Sequence, residues 1–142
     1  SPGYASRPGG RLNNKEISSH VLNDILIAHE NPAAMTRYKL NSTYFRGSGL
    51  LVSTAAGSTA WIYEEGGKVV PLSVRDFQYV HRGIRNGKPQ FAEKLSVESL
   101  TRESKIYADG EHWVLDFPIG SVLDISPGIP LTIVGDVEAK RR

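Results

Sequence analysis

The chain has 142 residues, 39% of them hydrophobic and 23% charged, which excludes a disordered polyelectrolyte, and no apolar run approaches the roughly 18 residues of a membrane span. Seventeen basic and fifteen acidic side chains leave a net charge of +2 and are mixed along the chain outside Lys140-Arg141-Arg142, so no field for nucleic acid is expected. Cysteine is absent, which excludes disulfides and thiol chemistry and suits a reducing compartment.

A chain of this length is enough for one domain, burying roughly 68 to 70% of the unfolded surface. Residues 1–10 are rich in Gly, Pro and Ser without apolar periodicity, and read as a flexible tail or a truncated linker to an upstream segment. Residues 11–135 are expected to form the domain, with 136–142 a solvated basic tail. No charged segment followed by an apolar one opens the chain, so it is not expected to be secreted.

Within the domain, short apolar runs alternate with turns, and fourteen glycines and eight prolines interrupt any helical period; this predicts an all-β, two-sheet sandwich. Strands are predicted over 21–29, 35–40 and 49–54. One short helix is predicted over 58–65, stopped by Gly66-Gly67, whose freedom at positive φ suits a helix C-terminus. Glu64 and Glu65 oppose the dipole there, so something beyond propensity must fix the segment. Further on, 105–108 and 112–117 are predicted to pair through a tight turn at Asp109-Gly110, and strands over 122–126 and 131–134 close the series.

Two places carry chemistry. Asn23-Asp24 sets polar side chains into an apolar strand, where an unpartnered group costs roughly 1 to 3 kcal/mol. Either one residue is solvated and the other bonds a loop, or amide and carboxylate together hold the vicinal hydroxyls of a ribose. In Gly57-Ser58-Thr59-Ala60-Trp61, glycine admits a ligand to the backbone and the hydroxyls cap amides or donate to a ligand. Alone, that string is equally a helix cap, and Trp61 equally a core residue or a stacking platform. Arg46 is either a surface arginine or a phosphate contact. The histidines His20, His29, His81 and His112 lack metal-ligand spacing, so no metal site is expected in this chain.

In this order, Asn23-Asp24, Arg46-Gly47-Ser48-Gly49, the strand before Gly57-Ser58-Thr59-Ala60-Trp61, and Gly66-Gly67 resemble the C-terminal β domain of NAD kinases, which phosphorylate NAD on its adenosine ribose. The resemblance runs from about Arg11 to Val134 and takes in residues 76–82, Asp109-Gly110 and Pro130-Leu131. It implies that Asn23 and Asp24 meet the dinucleotide's ribose, that Thr59 and Ala60 flank the adenine and that Trp61, where the family usually has Tyr, stacks on it. Gly57 and Ser58 form the turn, and Arg46 meets the phosphates. Ser48 stands where the family more often has an Asp serving the nicotinamide end of a neighbouring subunit's site, a departure similar to the plant-type and organellar NADH-kinase branch.

The resemblance further implies NAD or NADH as substrate, a homo-oligomer built through the β domain, and a cytoplasmic location, with an organelle as the alternative. ATP and Mg²⁺ are expected in an N-terminal α/β catalytic domain carrying Gly-Gly-Asp-Gly, a string missing from this chain, so no catalytic residue is assigned here and the chain alone is expected to be nearly inactive. Two alternatives keep the architecture and change the role: a lipid-kinase-type β domain, and a non-catalytic assembly module.

Overall fold

Alternating side chains along short strands give the chain two faces to bury, and two antiparallel sheets close over the first of them. A computed structural model describes residues 13–17, 23–58, 61–84, 87–108, 113–126, 129–135 and 139–141. In chain order its elements are β1 (Asn13–Ile17), β2 (Asp24–His29), β3 (Thr36–Leu40), β4 (Thr43–Gly47), β5 (Gly49–Ser53), α1 (Trp61–Glu64), β6 (Phe77–Arg82), β7 (Gln90–Ala92), β8 (Leu95–Ser99), β9 (Ser104–Ala108), β10 (Trp113–Asp116), β11 (Val122–Ser126), β12 (Ile129–Gly135) and β13 (Ala139–Arg141). Sheet A has six strands in the order β1-β12-β11-β8-β3-β4; sheet B has seven in the order β13-β10-β9-β2-β5-β6-β7. The expected all-β sandwich with one short helix is the observed architecture.

The core between the sheets takes Ile25 and Ile27 of β2, Leu50 and Val52 of β5, and Ile106 of β9 from sheet B, and Tyr38, Val97, Leu123 and Ile133 from sheet A. Sheet B also buries residues on its other face. Leu26 and Ala28 of β2, Leu51 of β5 and Val80 of β6 pack there with Ile62 of α1. This is why β2 and β5 read as continuous apolar runs: both of their faces are covered, and every residue of β5 is buried.

Several boundaries differ from those expected. The strand predicted over 21–29 begins at Asp24, with Asn23 in a bend just before it; Val21 and Leu22 lie outside the described residues. Strands β1, β4, β7, β8 and β13 were not anticipated. The β3–β4 connection explains one omission: its two turn residues, Asn41 and Ser42, both have positive φ, 46° and 74°, yet neither is glycine. Sheet A supports them, because Ser96 N–H donates to Asn41 Oδ1 at 2.9 Å and Asn41 N–H to Ser96 O at 2.9 Å.

The β9–β10 hairpin forms, but Trp113 pairs with Ala108, which leaves residues 109–112 between the strands where a two-residue turn at Asp109-Gly110 requires Glu111 opposite Ala108. The turn residues themselves lie outside the described residues. Within the segment 136–142, Ala139–Arg141 pairs with β10 as an edge strand of sheet B.

Candidate functional site

The candidate site lies on the outer face of sheet B. At one end of that face β2 starts and β5 finishes, with Asp24 opposite Ser53. The chain leaves β5 and turns at once against Asn23: Thr54 N–H donates to Asn23 O at 3.1 Å, and the Thr54 hydroxyl approaches the same oxygen at 3.4 Å. Gly57 then packs so closely on Asn23 that a Cβ built there lies 2.2 Å from Asn23 O and 2.9 Å from its Cβ. Only glycine fits, and the fit brings the two sequence motifs into one corner.

Ser58 is buried and its hydroxyl is engaged by the protein. It donates to Ala55 O at 2.8 Å and accepts from Val70 N–H at 2.8 Å, tying the turn to the chain beyond the helix. Its work here is to hold the loop. Thr59 and Ala60 lie outside the described residues. The helix α1 is Trp61–Glu64, shorter than the expected 58–65. It ends as its glycines require: Gly66 takes φ +93°, Gly66 N–H reaches Tyr63 O at 3.2 Å, and Gly67 N–H reaches Ile62 O at 2.8 Å, the paired bonds of a Schellman stop.

By strand alternation Asp24, Leu26 and Ala28 form a row on this face, each about 7 Å from the next. The row leads from the Asn23–Gly57 corner into a cleft of about 370 Å³, within the size range of small-molecule sites. Leu26 and Ala28 line it, with aromatic Trp61 and Tyr107 and with Thr36, Ser48, Arg82, His29 and Glu30. Trp61 is half-buried against the Leu26–Leu51–Val80 cluster, so it is both a core and a cleft residue. Arg82, the last residue of β6, carries its guanidinium 5.6 Å from the centre of the Trp61 ring and its Nε 3.3 Å from Glu65 Oε1. That Nε is shielded from water and makes no hydrogen bond, so its contact with Glu65 is an ion pair.

Beside the cleft, Lys105 on β9 pairs with Asp116 and lies 3.9 Å from Glu30; the hydrogen bond to Asp116 holds the ammonium above its ordinary pKa. Among the described residues no group of three or more His, Cys, Asp or Glu is placed to hold a metal ion. None of the helices in the described residues is long and apolar enough to cross a membrane.

The structure thus brings Asn23, Asp24, Gly57 and Ser58 together and sets Trp61 and Ser48 along the same face. Ser48 sits where the chain crosses from β4 in sheet A to β5 in sheet B, its N–H donating to Arg82 O at 2.8 Å. Arg46 is not brought there. It lies exposed on β4 in sheet A, directly across from Arg37 on the outward face of that sheet. Tyr107 and Arg82 were missed because each reaches the cleft from a distant strand. The available signal was the alternation of β6, where Phe77 is core and the opposite set, Gln78, Val80 and Arg82, faces α1 and the cleft.

No protein-family model matches the chain. Its fold is shared with solved kinases of dinucleotides. A yeast NADH kinase, solved with NADH, superposes with a TM-score of 0.54 at 16% identity, over 89% of this chain and 39% of that one. An Archaeoglobus fulgidus NAD kinase, solved with ATP, gives a TM-score of 0.54 at 22% identity, over 94% of this chain and 54% of that one. These two likenesses show the fold: a two-sheet β fold shared with part of each of those kinases.

Sequence comparison narrows it. Over 150 aligned residues, 92% of this chain, it is 31% identical to a "Probable NADH kinase" of Oryza sativa subsp. japonica. Over 112 residues, 71% of this chain, it is 30% identical to an NAD kinase of Methanospirillum hungatei JF-1. The chain belongs to the NAD kinase family. It spans less than half the length of these two relatives, 46% and 41%.

Proposed function

We propose that this chain is the dinucleotide-binding and subunit-contacting β domain of an NAD(H) kinase, an enzyme that transfers the γ-phosphate of ATP to the adenosine 2′-hydroxyl of NAD or NADH. The observation that carries the reading is the corner where Gly57 closes on Asn23. A strand start bearing an amide and a carboxylate meets a small-residue turn there, and a ribose with two adjacent hydroxyls needs such a pair: the carboxylate accepts from both, the amide accepts and donates. Gly57 and Ser58 shape the turn, Thr59 and Ala60 follow it, and Trp61 offers a ring face toward the base. Ser48 meets the far end of the ligand, on this chain or a neighbour, and Arg46, on the other sheet, serves a second copy within a homo-oligomer.

The described residues offer no metal cluster, and the whole chain carries no Gly-Gly-Asp-Gly string. The reading gives Mg²⁺ and ATP to a separate N-terminal α/β domain, in keeping with a chain that spans less than half the length of these relatives, and leaves the isolated chain nearly inactive; it sets the enzyme in the cytoplasm or an organelle.

Calorimetric titration of NAD and NADH into the chain tests this. Asn23→Ala and Asp24→Asn are expected to weaken binding by about tenfold each, the cost of roughly 1.5 kcal/mol for a lost charged or paired hydrogen bond. Equal affinity in both variants would remove the corner from the site.

A further inference from the structure

One turn of helix is not stable alone in water, because ordering its first residues costs more than the few hydrogen bonds formed return. The helix α1 is that short, and Glu64 and Glu65 stand where its dipole repels them. One side is anchored to sheet B: Ile62 is fully buried, and the Gln78 side-chain amide both accepts from Lys68 N–H at 2.6 Å and donates to Lys68 O at 2.7 Å. These bonds fix the segment after the helix. They leave the side that faces the cleft to Arg82.

Arg82 meets that side at two points. Its guanidinium lies over the Trp61 ring, and its Nε is 3.3 Å from Glu65. One cation thereby balances an acid that the helix end disfavours and covers one side of the ring that walls the cleft. The Arg82 and Glu65 side chains are 27% and 30% exposed, so the pair is screened less than a fully solvated one. With no hydrogen bond from Nε, the guanidinium is oriented by the ring and the carboxylate.

We infer that Arg82 is a positioning residue: acting through Glu65 and the Trp61 ring, it fixes α1 across the end of β6 and sets the ring face that Trp61 presents to a bound dinucleotide. The binding half of this inference rests on the dinucleotide reading above; the clamp stands on its own geometry. Lysine cannot replace arginine here, since only a planar guanidinium stacks on a ring and reaches a carboxylate at once.

The test uses Trp113→Phe, which leaves Trp61 as the sole one of two tryptophans. In that background Arg82→Gln is expected to shift the Trp61 emission and lower its anisotropy, with Arg82→Lys, which keeps the charge and guards against a variant that merely unfolds, restoring only part. Unchanged emission and anisotropy in Arg82→Gln overturn the clamp. In calorimetry with Trp113 intact, Arg82→Gln is expected to weaken NAD binding about two- to fivefold, the scale of a cation–ring contact. That loss should vanish in a Trp61→Leu background. If it persists there in full, Arg82 touches the ligand directly and the positioning role is overturned. If the unaltered chain binds no NAD, the dinucleotide half falls, while Trp61 emission still decides the clamp.

Discussion

Two glycines near the site show what single residues decide. At Gly57 the constraint is space: a methyl group placed there meets backbone atoms of Asn23 at 2.2 and 2.7 Å, so Gly57→Ala must push the turn off the strand start. Its expected cost is about 1 to 3 kcal/mol, the range for overpacking, read as a lower urea midpoint and accompanied by weaker NAD binding. At Gly66 the constraint is conformation alone. Nothing lies within 4 Å of a Cβ there, but φ is +93°. Gly66→Ala should therefore cost about 1 kcal/mol through the backbone and leave the Asn23 corner in place, with a smaller affinity loss than Gly57→Ala. A comparable affinity loss in both variants would mean that α1, not the corner, controls binding. The Gly57 turn could be read from residue types, since glycine and small hydroxyl residues after an apolar run suit a turn or a cap. The partner of Ser58 could not: Val70 lies twelve residues further on, and only the folded path of the loop brings its N–H to that hydroxyl.

At the scale of elements, legibility followed how much of each segment's conformation its own residues determine. Strand β11 was placed at its observed bounds because its alternation is uninterrupted, with Leu123 and Ile125 inward. The β4 strand escaped because a turn of Asn41-Ser42 lacks the glycine that advertises positive φ; its conformation is maintained by β8 from 55 residues away. The helix was expected, and its end follows from Gly66-Gly67, while tertiary anchors hold it and the segment after it on sheet B. Gln78 holds the segment after the helix, and Gln78→Ala should leave Lys68 N–H and O without this partner. Each part-buried hydrogen bond lost in this way costs about 0.5 to 1.5 kcal/mol. Native-state hydrogen exchange should then report faster exchange at Lys68 and through α1, with β2 and β5 retaining protection; uniform loss of protection would indicate that the segment is part of the global folding unit.

Across the whole molecule the two sheets are joined mainly by apolar contact, which is non-directional, so polar bridges between them carry disproportionate weight in fixing how they meet. Among the described residues His29 N–H of β2 donates to Thr36 Oγ1 of β3 at 2.8 Å, and a second bridge joins two side chains. The hydroxyl of Tyr38 of β3 in sheet A shares a hydrogen bond with Nδ1 of His81 of β6 in sheet B, and Phe45 stacks on the imidazole with ring centres 3.9 Å apart while Tyr79 meets it edge-on. Burial pushes the Tyr38 phenol well above its ordinary range, so it stays protonated. Burial pushes His81 below its ordinary 6.5, because the charged imidazole would lose hydration between the sheets. The sign of the linkage follows. As pH falls through about 6.5 the unfolded chain takes up a proton on His81 that the folded chain refuses, so stability drops until the lower folded value is reached and then levels off. Urea unfolding from about pH 7.5 down to about pH 5 should show this decline. His81→Gln keeps an acceptor for Tyr38 but cannot titrate, and should flatten the part of the slope below about 6.5 without abolishing the fold. An identical slope in His81→Gln would assign the acid sensitivity to other groups and leave the bridge a purely geometric tie between the sheets.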